Sequence, residues 1–180
     1  MSVEAARAAA PPEADAPTDE HERFERLVRR HHPRLRRVVA GIVGDRHRVD
    51  DVLQEAYLKA YRKLPRRFAN EAHEAVWLVR VVHRCALDEL RRTKRRREEL
   101  GELGHLRAVP DERSARLDVD AAFARLAVGD RSVLLLVDLL GFDYEGAAAV
   151  LRVPRGTVAS RLNAARRRFR ELLEAGDGRA

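Results

Sequence analysis

The sequence predicts an all-α protein of two small helical domains joined by a flexible linker. Apolar residues recur at steps of three and four over most of the 180 residues, and no segment shows the alternation typical of a strand. Only 5% of the residues are aromatic, so the cores are expected to consist of leucine, valine and alanine. Gly101, Gly104 and Pro110 interrupt the helical pattern and separate the two domains.

The predicted boundaries follow from shifts in composition along the chain. Residues 1–19 are rich in alanine and proline without apolar periodicity, which is typical of a disordered tail. The first domain spans residues 20–97, the linker residues 98–117 and the second domain residues 118–176. Each domain is small for independent stability.

Three helices are predicted in the first domain. The first ends at Gly44, the second ends before Pro65, and the third runs from about Glu74 to Arg97. The apolar side of the first helix holds Phe24, Leu27, Val28, His31, Leu35, Val38, Val39 and Ile42. The second helix has apolar doublets every four positions, at Val52-Leu53, Ala56-Tyr57 and Ala60-Tyr61.

The second helix also carries a polar face opposite its apolar doublets. Asp50 and Asp51 lie in its first turn, where carboxylates interact favourably with the helix dipole. Gln54 and Glu55 have no such explanation, and they form a surface that is available to a protein partner.

The loop before the third helix is basic and contains Phe68. In one interpretation Phe68 stacks on an unpaired base while Arg66 or Arg67 holds the nucleic-acid backbone. In the other, Phe68 folds back onto the protein core near Trp77. Residue spacing alone does not decide between the two.

A run of cations ends the third helix. Six of the seven residues in Arg91-Arg92-Thr93-Lys94-Arg95-Arg96-Arg97 are basic. Cations suit the C-terminal end of a helix, but the dipole accounts for only two or three of them. The run therefore predicts contact with phosphates.

A helix-turn-helix is predicted in the second domain. A short helix around Phe123 and a longer one from Asp130 to Leu140 precede it, and Gly141 ends the longer one. Asp143 can cap the next helix by accepting a bond from a backbone N–H, and Pro154 suits the turn before the last helix.

The last predicted helix is strongly basic on one side. Its apolar stripe is formed by Val158, Leu162, Ala165, Phe169 and Leu172. Between Gly146 and Arg170 there are seven arginines and no acidic residue. A surface of one charge sign favours a polyanion, so this helix is predicted to enter the major groove of DNA.

The composition argues against several other classes of protein. A formal charge of +7 and a pI near 10.4 favour a nucleic-acid partner. The single Cys85 cannot form an internal disulfide, and no apolar run approaches membrane-spanning length, so a soluble protein of the reducing cytoplasm is expected. The seven histidines show no metal-binding spacing, and no Gly-rich phosphate loop is present. Catalysis, a metal, a cofactor and a small-molecule substrate are therefore not expected.

Three parts of the chain carry a resemblance to one family, the bacterial RNA polymerase sigma factors of the extracytoplasmic-function group. The segment from Asp50 to Tyr61 resembles the part of region 2 that docks on the polymerase clamp. Trp77-Leu78, with the segment from Ala86 to Arg92, resembles the helix that meets the −10 element. Residues 139–145 and 156–162 resemble region 4, which reads the −35 element.

The resemblance implies a transcription initiation factor that binds core RNA polymerase and promoter DNA, with an anti-sigma protein as a further partner. It assigns contact with core polymerase to Asp51, Gln54 and Glu55. It assigns contact with the −10 element to Arg66, Arg67, Phe68, Arg84, Arg91, Arg92, Lys94, Arg95, Arg96 and Arg97. It assigns contact with the −35 element to Arg155, Thr157, Ser160, Arg161, Asn163, Arg166, Arg167 and Arg168, the last three through phosphates.

The predicted linker fits the expectation that the two domains contact separate DNA elements. About twenty flexible residues have a root-mean-square span of roughly 25 Å. That span lets two small domains lie on DNA elements that are more than one helical turn apart.

Three residues depart from the pattern of the family. Arg84 stands where the family has asparagine, and Ala159 stands where a basic residue is common. Arg152 replaces the glycine of the turn, so either it adopts a strained backbone conformation or the turn differs locally.

One alternative class of function stays open at the level of the sequence. A stand-alone transcriptional regulator would bind operator DNA through residues 130–170 and dimerise through its N-terminal helices. It would bind a palindromic duplex tightly without polymerase. Affinity for core polymerase therefore discriminates between the two classes.

Overall fold

The computed structural model describes residues 20–100 and 116–177, which form seven α-helices and no strand. The predicted all-α class is confirmed for these residues. The predicted tail, residues 1–19, lies outside the described residues, and so does most of the predicted linker, residues 101–115.

The first half of the structure, residues 20–100, contains the three predicted helices. These are α1 (Glu20–Val43), α2 (Val49–Tyr61) and α3 (Glu71–Glu99). α1 ends at Gly44 as predicted, because Gly44 has a φ of 75° and its N–H donates to the carbonyl of Ala40. α3 begins three residues earlier than predicted, since the side chain of Asn70 caps it by accepting from the N–H of His73 at 3.0 Å.

The second half, residues 116–177, contains four helices. These are α4 (Arg116–Arg125), α5 (Val128–Leu134), α6 (Tyr144–Leu151) and α7 (Arg155–Asp177). The predicted helix from Asp130 to Leu140 is present, but its second part is not α-helical. α5 ends at Leu134, and Leu135–Leu139 form a π-helical turn in which the N–H of Leu140 donates to the carbonyl of Leu135 at 2.9 Å.

The capping predictions for this half are confirmed. Gly141 follows the π-helical turn with a φ of 71°, in the left-handed region that favours glycine. Asp143 caps α6, and its carboxylate accepts from the N–H of Gly146 at 2.7 Å.

One hydrophobic core runs through both halves. In the first half, α1, α2 and α3 pack around Leu35, Ile42 and Leu78. In the second half, the helices pack around Leu136 and Leu162. All five side chains belong to a single buried cluster, because α5 contacts α1 and α6 contacts α3. The two halves are therefore packed directly against each other.

Two contacts of α1 bring the halves closest together. Gly41 lies against Leu135, and a Cβ at Gly41 would be only 2.7 Å from a methyl carbon of that leucine. Arg34 donates to the carbonyl of Leu140 at 3.3 Å, and its guanidinium lies 5.5 Å from the centroid of the Phe142 ring. The missing side chain at Gly41 is what allows α1 to approach the π-helical turn.

The contact between the halves also includes a buried histidine. The Nε2 atom of His83 in α3 lies 2.9 Å from the Oγ of Ser132 in α5. Ser132 donates its own proton to the carbonyl of Val128 at 2.8 Å, so its oxygen accepts from the Nε2–H of a neutral His83 ring. Burial lowers the pKa of His83 to about 4.

The packing of the halves is expected to weaken as the pH falls from 6.5 towards 4. A His83 that is released into water titrates near 6.5, whereas the packed ring titrates near 4, so protons favour the separated or unfolded chain between these values. The packed state keeps its full stability above pH 6.5 and loses roughly 3 kcal/mol by pH 4. Urea unfolding at pH 7.5, 6 and 5 measures this loss.

The variant His83→Gln provides the control, because an amide keeps a donor for Ser132 and does not titrate. The free energy of unfolding of the variant should fall less steeply with acid than that of the wild type. Equal slopes would contradict the role given to His83.

Candidate nucleic-acid interface

α6 and α7 form the predicted helix-turn-helix. Arg152 lies in the turn with a φ of 57° and a ψ of 46°, and its N–H donates to the carbonyl of Ala148. Of the two outcomes expected for Arg152, the strained backbone conformation is the one observed, at a cost of about 1 kcal/mol for a residue other than glycine. The carbonyl of Pro154 then accepts from the N–H groups of Thr157 and Val158 and starts α7.

α7 buries one side and exposes the other. Val158, Leu162 and Ala165 are fully buried in the core. Thr157 and Arg161 are half-buried. The remaining residues predicted to contact the −35 element are exposed, namely Arg155, Ser160, Asn163, Arg166, Arg167 and Arg168.

Three cations of α7 pair with carboxylates of the same half, and the pair of Arg155 with Glu145, at 3.7 Å, is the longest of them. The other two are shorter. Arg166 donates to both carboxylate oxygens of Asp138, at 3.0 and 2.5 Å, and Arg168 donates to the nearly buried Asp130 at 2.6 Å. Both pairs hold α7 against α5 and the π-helical turn. The sequence did not reveal them, because the partners are 28 and 38 residues apart.

Arg161 is turned towards the protein rather than away from it. Its guanidinium packs over Gly129, where a Cβ would lie 3.6 Å from Nη1. The outer surface of α7 is thus formed by Ser160, Asn163 and Arg167, with Arg170 further along.

In the first half, Phe68 combines features of both interpretations of the loop. Its ring is half-buried and packs against Trp77, with the centroids 5.4 Å apart. It also lines a cavity of about 330 Å³ between α1 and the loop, together with Arg66 and Arg67. Arg23 of α1 donates to the carbonyl of Pro65 and fastens the loop to the helix.

The basic run at the end of α3 is exposed but partly paired. Arg91 donates to Asp88 at 2.9 Å, and Lys94 lies 3.6 Å from Glu98. In contrast, the described residues place no carboxylate within 4.0 Å of Arg95. Arg84, earlier on α3, is exposed as well.

The polar face of α2 carries the three residues predicted to bind a protein partner. Asp51 and Gln54 are exposed, while Glu55 is half-buried and accepts from Lys59 at 2.6 Å and from Arg92 at 2.9 Å. The hydrogen bond from Lys59, with a further one from Arg92, holds the pKa of Glu55 below its ordinary value although partial burial opposes the shift. Arg92 therefore links this face to the basic run on α3.

One large apolar residue of this face was not singled out by the sequence analysis. Leu58 is 56% exposed and follows Gln54 by four residues, so both lie on the same side of α2. The signal was present in the sequence, since Leu58 stands outside the apolar doublets. Tyr61, a member of one doublet, is 41% exposed although its ring packs against Phe24 with the centroids 5.3 Å apart.

The described residues contain no group of three or more histidine, cysteine or carboxylate side chains that would hold a metal ion. Within residues 20–100 and 116–177 there is also no helix with the length and hydrophobicity needed to cross a membrane.

Comparison with known proteins assigns both halves. Residues 27–96 match the family model for sigma-70 region 2, and residues 116–169 match the model for sigma-70 region 4. The ECF RNA polymerase sigma factor SigM of Mycobacterium tuberculosis is 36% identical over 154 residues, which cover 83% of this chain and 76% of SigM. SigE of Mycolicibacterium smegmatis is 30% identical over 159 residues, which cover 83% of this chain and 61% of SigE.

Two solved structures share the fold. The sigma factor RpoE of Bartonella quintana, crystallised with the anti-sigma factor NepR, superposes with a TM-score of 0.72 at 24% identity and covers 85% of this chain and 98% of its own. CnrH, solved in complex with the cytosolic domain of CnrY, has a TM-score of 0.65 at 27% identity, with 86% and 90% covered.

Proposed function

This chain belongs to the extracytoplasmic-function group of RNA polymerase sigma factors, and on that premise we propose which of its surfaces serve each step of initiation. It acts as a transcription initiation factor that directs polymerase to promoters. We place it in the cytoplasm and assign it no catalytic activity of its own. A stand-alone regulator would leave the match of residues 27–96 to region 2 without an explanation.

The proposed binding of the −35 element rests on the exposed residues of the outer surface of α7. Ser160 and Asn163 are exposed there and carry groups that can reach base edges in a major groove. We assign the reading of the −35 element to these two residues with Arg155 and Thr157, and phosphate contact to Arg167. Arg166 would contact a phosphate while it stays paired with Asp138. The Arg161 side chain would have to move away from Gly129 before it could contact DNA.

We propose that the −10 element binds the other basic surface, which is formed by the loop around Phe68 and by α3. Phe68 would receive an unstacked base, and Arg66 and Arg67 would hold the strand beside it. Phosphates further along would contact Arg84, Arg91, Arg92, Lys94, Arg95, Arg96 and Arg97. Support comes from the open cavity next to Phe68 and from the exposure of the basic run.

We propose that core polymerase binds the exposed face of α2, which consists of Asp51, Gln54, Glu55 and Leu58. The three polar residues resemble the docking segment of the family, and Leu58, one turn further along α2, adds an uncovered apolar side chain. Interfaces between proteins usually obtain most of their affinity from a few residues.

We also propose that the two halves separate when the protein works. In the packed form α6 lies on α3, and Gly146 approaches Val76, next to the Trp77 that supports Phe68. Separation would let the two DNA-binding surfaces reach elements that are more than one helical turn, about 34 Å, apart. The division into two domains, with a linker from residue 98 to residue 117, is part of this proposal.

An anti-sigma protein is a proposed further partner. The solved structures of RpoE and CnrH both hold a second protein, which in the case of RpoE is an anti-sigma factor. We propose that this chain is controlled by a protein of the same kind.

The recognition helix is expected to separate specificity from affinity. Asn163→Ala should cost about 1–3 kcal/mol at one base pair of the −35 element and relax the preference there. Arg167→Ala should weaken binding to every sequence equally and lower the slope of log K against log salt by about 0.9. Fluorescence anisotropy with a panel of −35 duplexes at several salt concentrations measures both effects. An equal loss of affinity for all duplexes with Asn163→Ala would mean that Asn163 contacts the DNA backbone instead of a base.

A further inference from the structure

A row of arginines on α1 faces the loop across the cavity. Arg23, Arg26 and Arg30 recur at steps of three and four, so they lie on one side of the helix. With Arg66 and Arg67 on the opposite wall, they enclose a space of about 330 Å³. Nothing in the docking or DNA-binding assignments above uses the α1 residues.

The charge of this cavity is strongly one-sided. Its lining contains five guanidinium groups against a single carboxylate, that of Glu74. Glu74 is already engaged, because it lies 2.9 Å from Nε2 of His31 and 3.4 Å from Arg30. Part of the positive charge is balanced within the chain, because Arg26 also lies 3.7 Å from Glu22. That pair is exposed on both sides and therefore weak, so the lining keeps a net positive charge that favours an anion.

The remaining lining indicates what kind of anion fits. Phe68 presents a half-buried ring and Leu27 an apolar side chain, and both lie among the arginines. An aromatic ring stacks on a nucleobase, while guanidinium groups bind phosphate oxygens in pairs. A volume of about 330 Å³ is at the lower end of the range for small-molecule sites and suits one nucleotide unit.

The basic run on α3 does not serve the same phosphates. Glu74 lines the cavity and Lys94 lies in the run, and twenty residues of helix between them span roughly 30 Å. The cations that bind the phosphate next to a base on Phe68 must therefore come from residues closer to Phe68 than the basic run.

We infer that the α1 arginines form the second wall of a site for an unstacked nucleotide, in which Arg26 and Arg30 bind the phosphate next to the base on Phe68. The inference rests on the proposed role of the loop in binding the −10 strand, and it adds α1 to that site. The occupant is a nucleotide within single-stranded DNA.

The test compares two double variants of the full chain. Arg26→Ala with Arg30→Ala removes two cations from the cavity. Arg29→Ala with Arg37→Ala removes two exposed cations from α1 that do not line it. The probe is a fluorescein-labelled single-stranded DNA of twelve nucleotides with randomised sequence, and binding is followed by anisotropy.

The cavity variant should lose at least tenfold in affinity and should lower the salt slope by about 1.4, as expected for two phosphate contacts on a single strand. The control should lose less than threefold. Equal losses in both variants would reduce the effect to general electrostatics and overturn the inference. The side chains of Arg26 and Arg30 are 57% and 55% exposed, so the fold should survive, and the single change Arg26→Gln repeats the test if it does not.

Two further arms separate the possible outcomes. Competition by a mixture of deoxynucleoside monophosphates below 1 mM would identify a free nucleotide as the occupant and overturn the assignment to a DNA strand. Phe68→Ala tests the underlying proposal. A loss with Phe68→Ala but not with the cavity variant would overturn only the role of α1, whereas no loss with either would remove the loop itself from strand binding.

Discussion

Replacement of Leu58 by serine is expected to abolish co-purification with core RNA polymerase while the chain stays folded. Leu58 is 56% exposed on α2, so its truncation leaves no cavity in the core. Truncation of a hot-spot residue costs about 2 kcal/mol or more of binding free energy, which corresponds to a loss of at least about thirtyfold in affinity. Binding of the labelled chain to purified core enzyme measures the loss, and promoter-directed transcription should fall with it.

The matched control at this position is Leu58→Met. Methionine keeps an apolar side chain of similar volume, so this variant should bind polymerase within a few-fold of the wild type. Binding of a −35 duplex should be unchanged in both variants, since Leu58 lies on α2 and the recognition helix is α7. Full polymerase binding by Leu58→Ser would mean that the docking face does not extend beyond Asp51, Gln54 and Glu55.

Replacement of Gly41 by leucine is expected to separate the two halves. A Cβ at Gly41 would already lie 2.7 and 2.8 Å from the two methyl carbons of Leu135, and a longer side chain needs still more space. Leucine is also a better helix former than glycine by about 1 kcal/mol, so α1 itself should gain stability. The whole penalty therefore falls on the contact between the halves.

Two measurements detect this separation. Small-angle X-ray scattering should show a rise of several ångströms in the radius of gyration. A titration of His83 followed by NMR should show its pKa move from about 4 towards the value near 6.5 of a ring in water. Gly156→Leu is the control, because a Cβ at Gly156 meets nothing within 4 Å and the helix propensity rises equally. If the Gly41→Leu chain stays compact and the pKa of His83 stays near 4, the Leu135 side chain has moved aside and the halves have not separated.

The composition of the contact fits halves that part during function. The Nε atoms of Arg80 and Arg131 are buried without a hydrogen-bond partner among the described residues, and burial lowers the pKa of Arg131. A buried donor atom without a partner destabilises the packed form. Contacts between domains that move are more polar than permanent ones.

Local signals in the sequence predicted most of the helices, several of their ends and the helix-turn-helix. Gly44 and Asp143 act on backbone groups within one turn, and the apolar steps of α7 repeat within a few residues. The sequence also marked Arg152 as the turn residue, although it left open whether Arg152 adopts the strained conformation that the structure shows or the turn differs locally. Such signals are local, so they can be read without knowing what packs against the helix.

How these helices combine depends on contacts that exist only in the folded chain. The pair of Arg166 with Asp138 joins residues that are 28 positions apart, and the exposure of Leu58 depends on what α1 and α3 leave uncovered. The π-helical turn, Leu135–Leu139, starts inside the run from Val133 to Leu136, in which every residue is buried and no helical stripe is visible. The packing of the halves and the cavity beside Phe68 arise because chain segments distant in sequence meet, and periodicity carries no information about which faces come together.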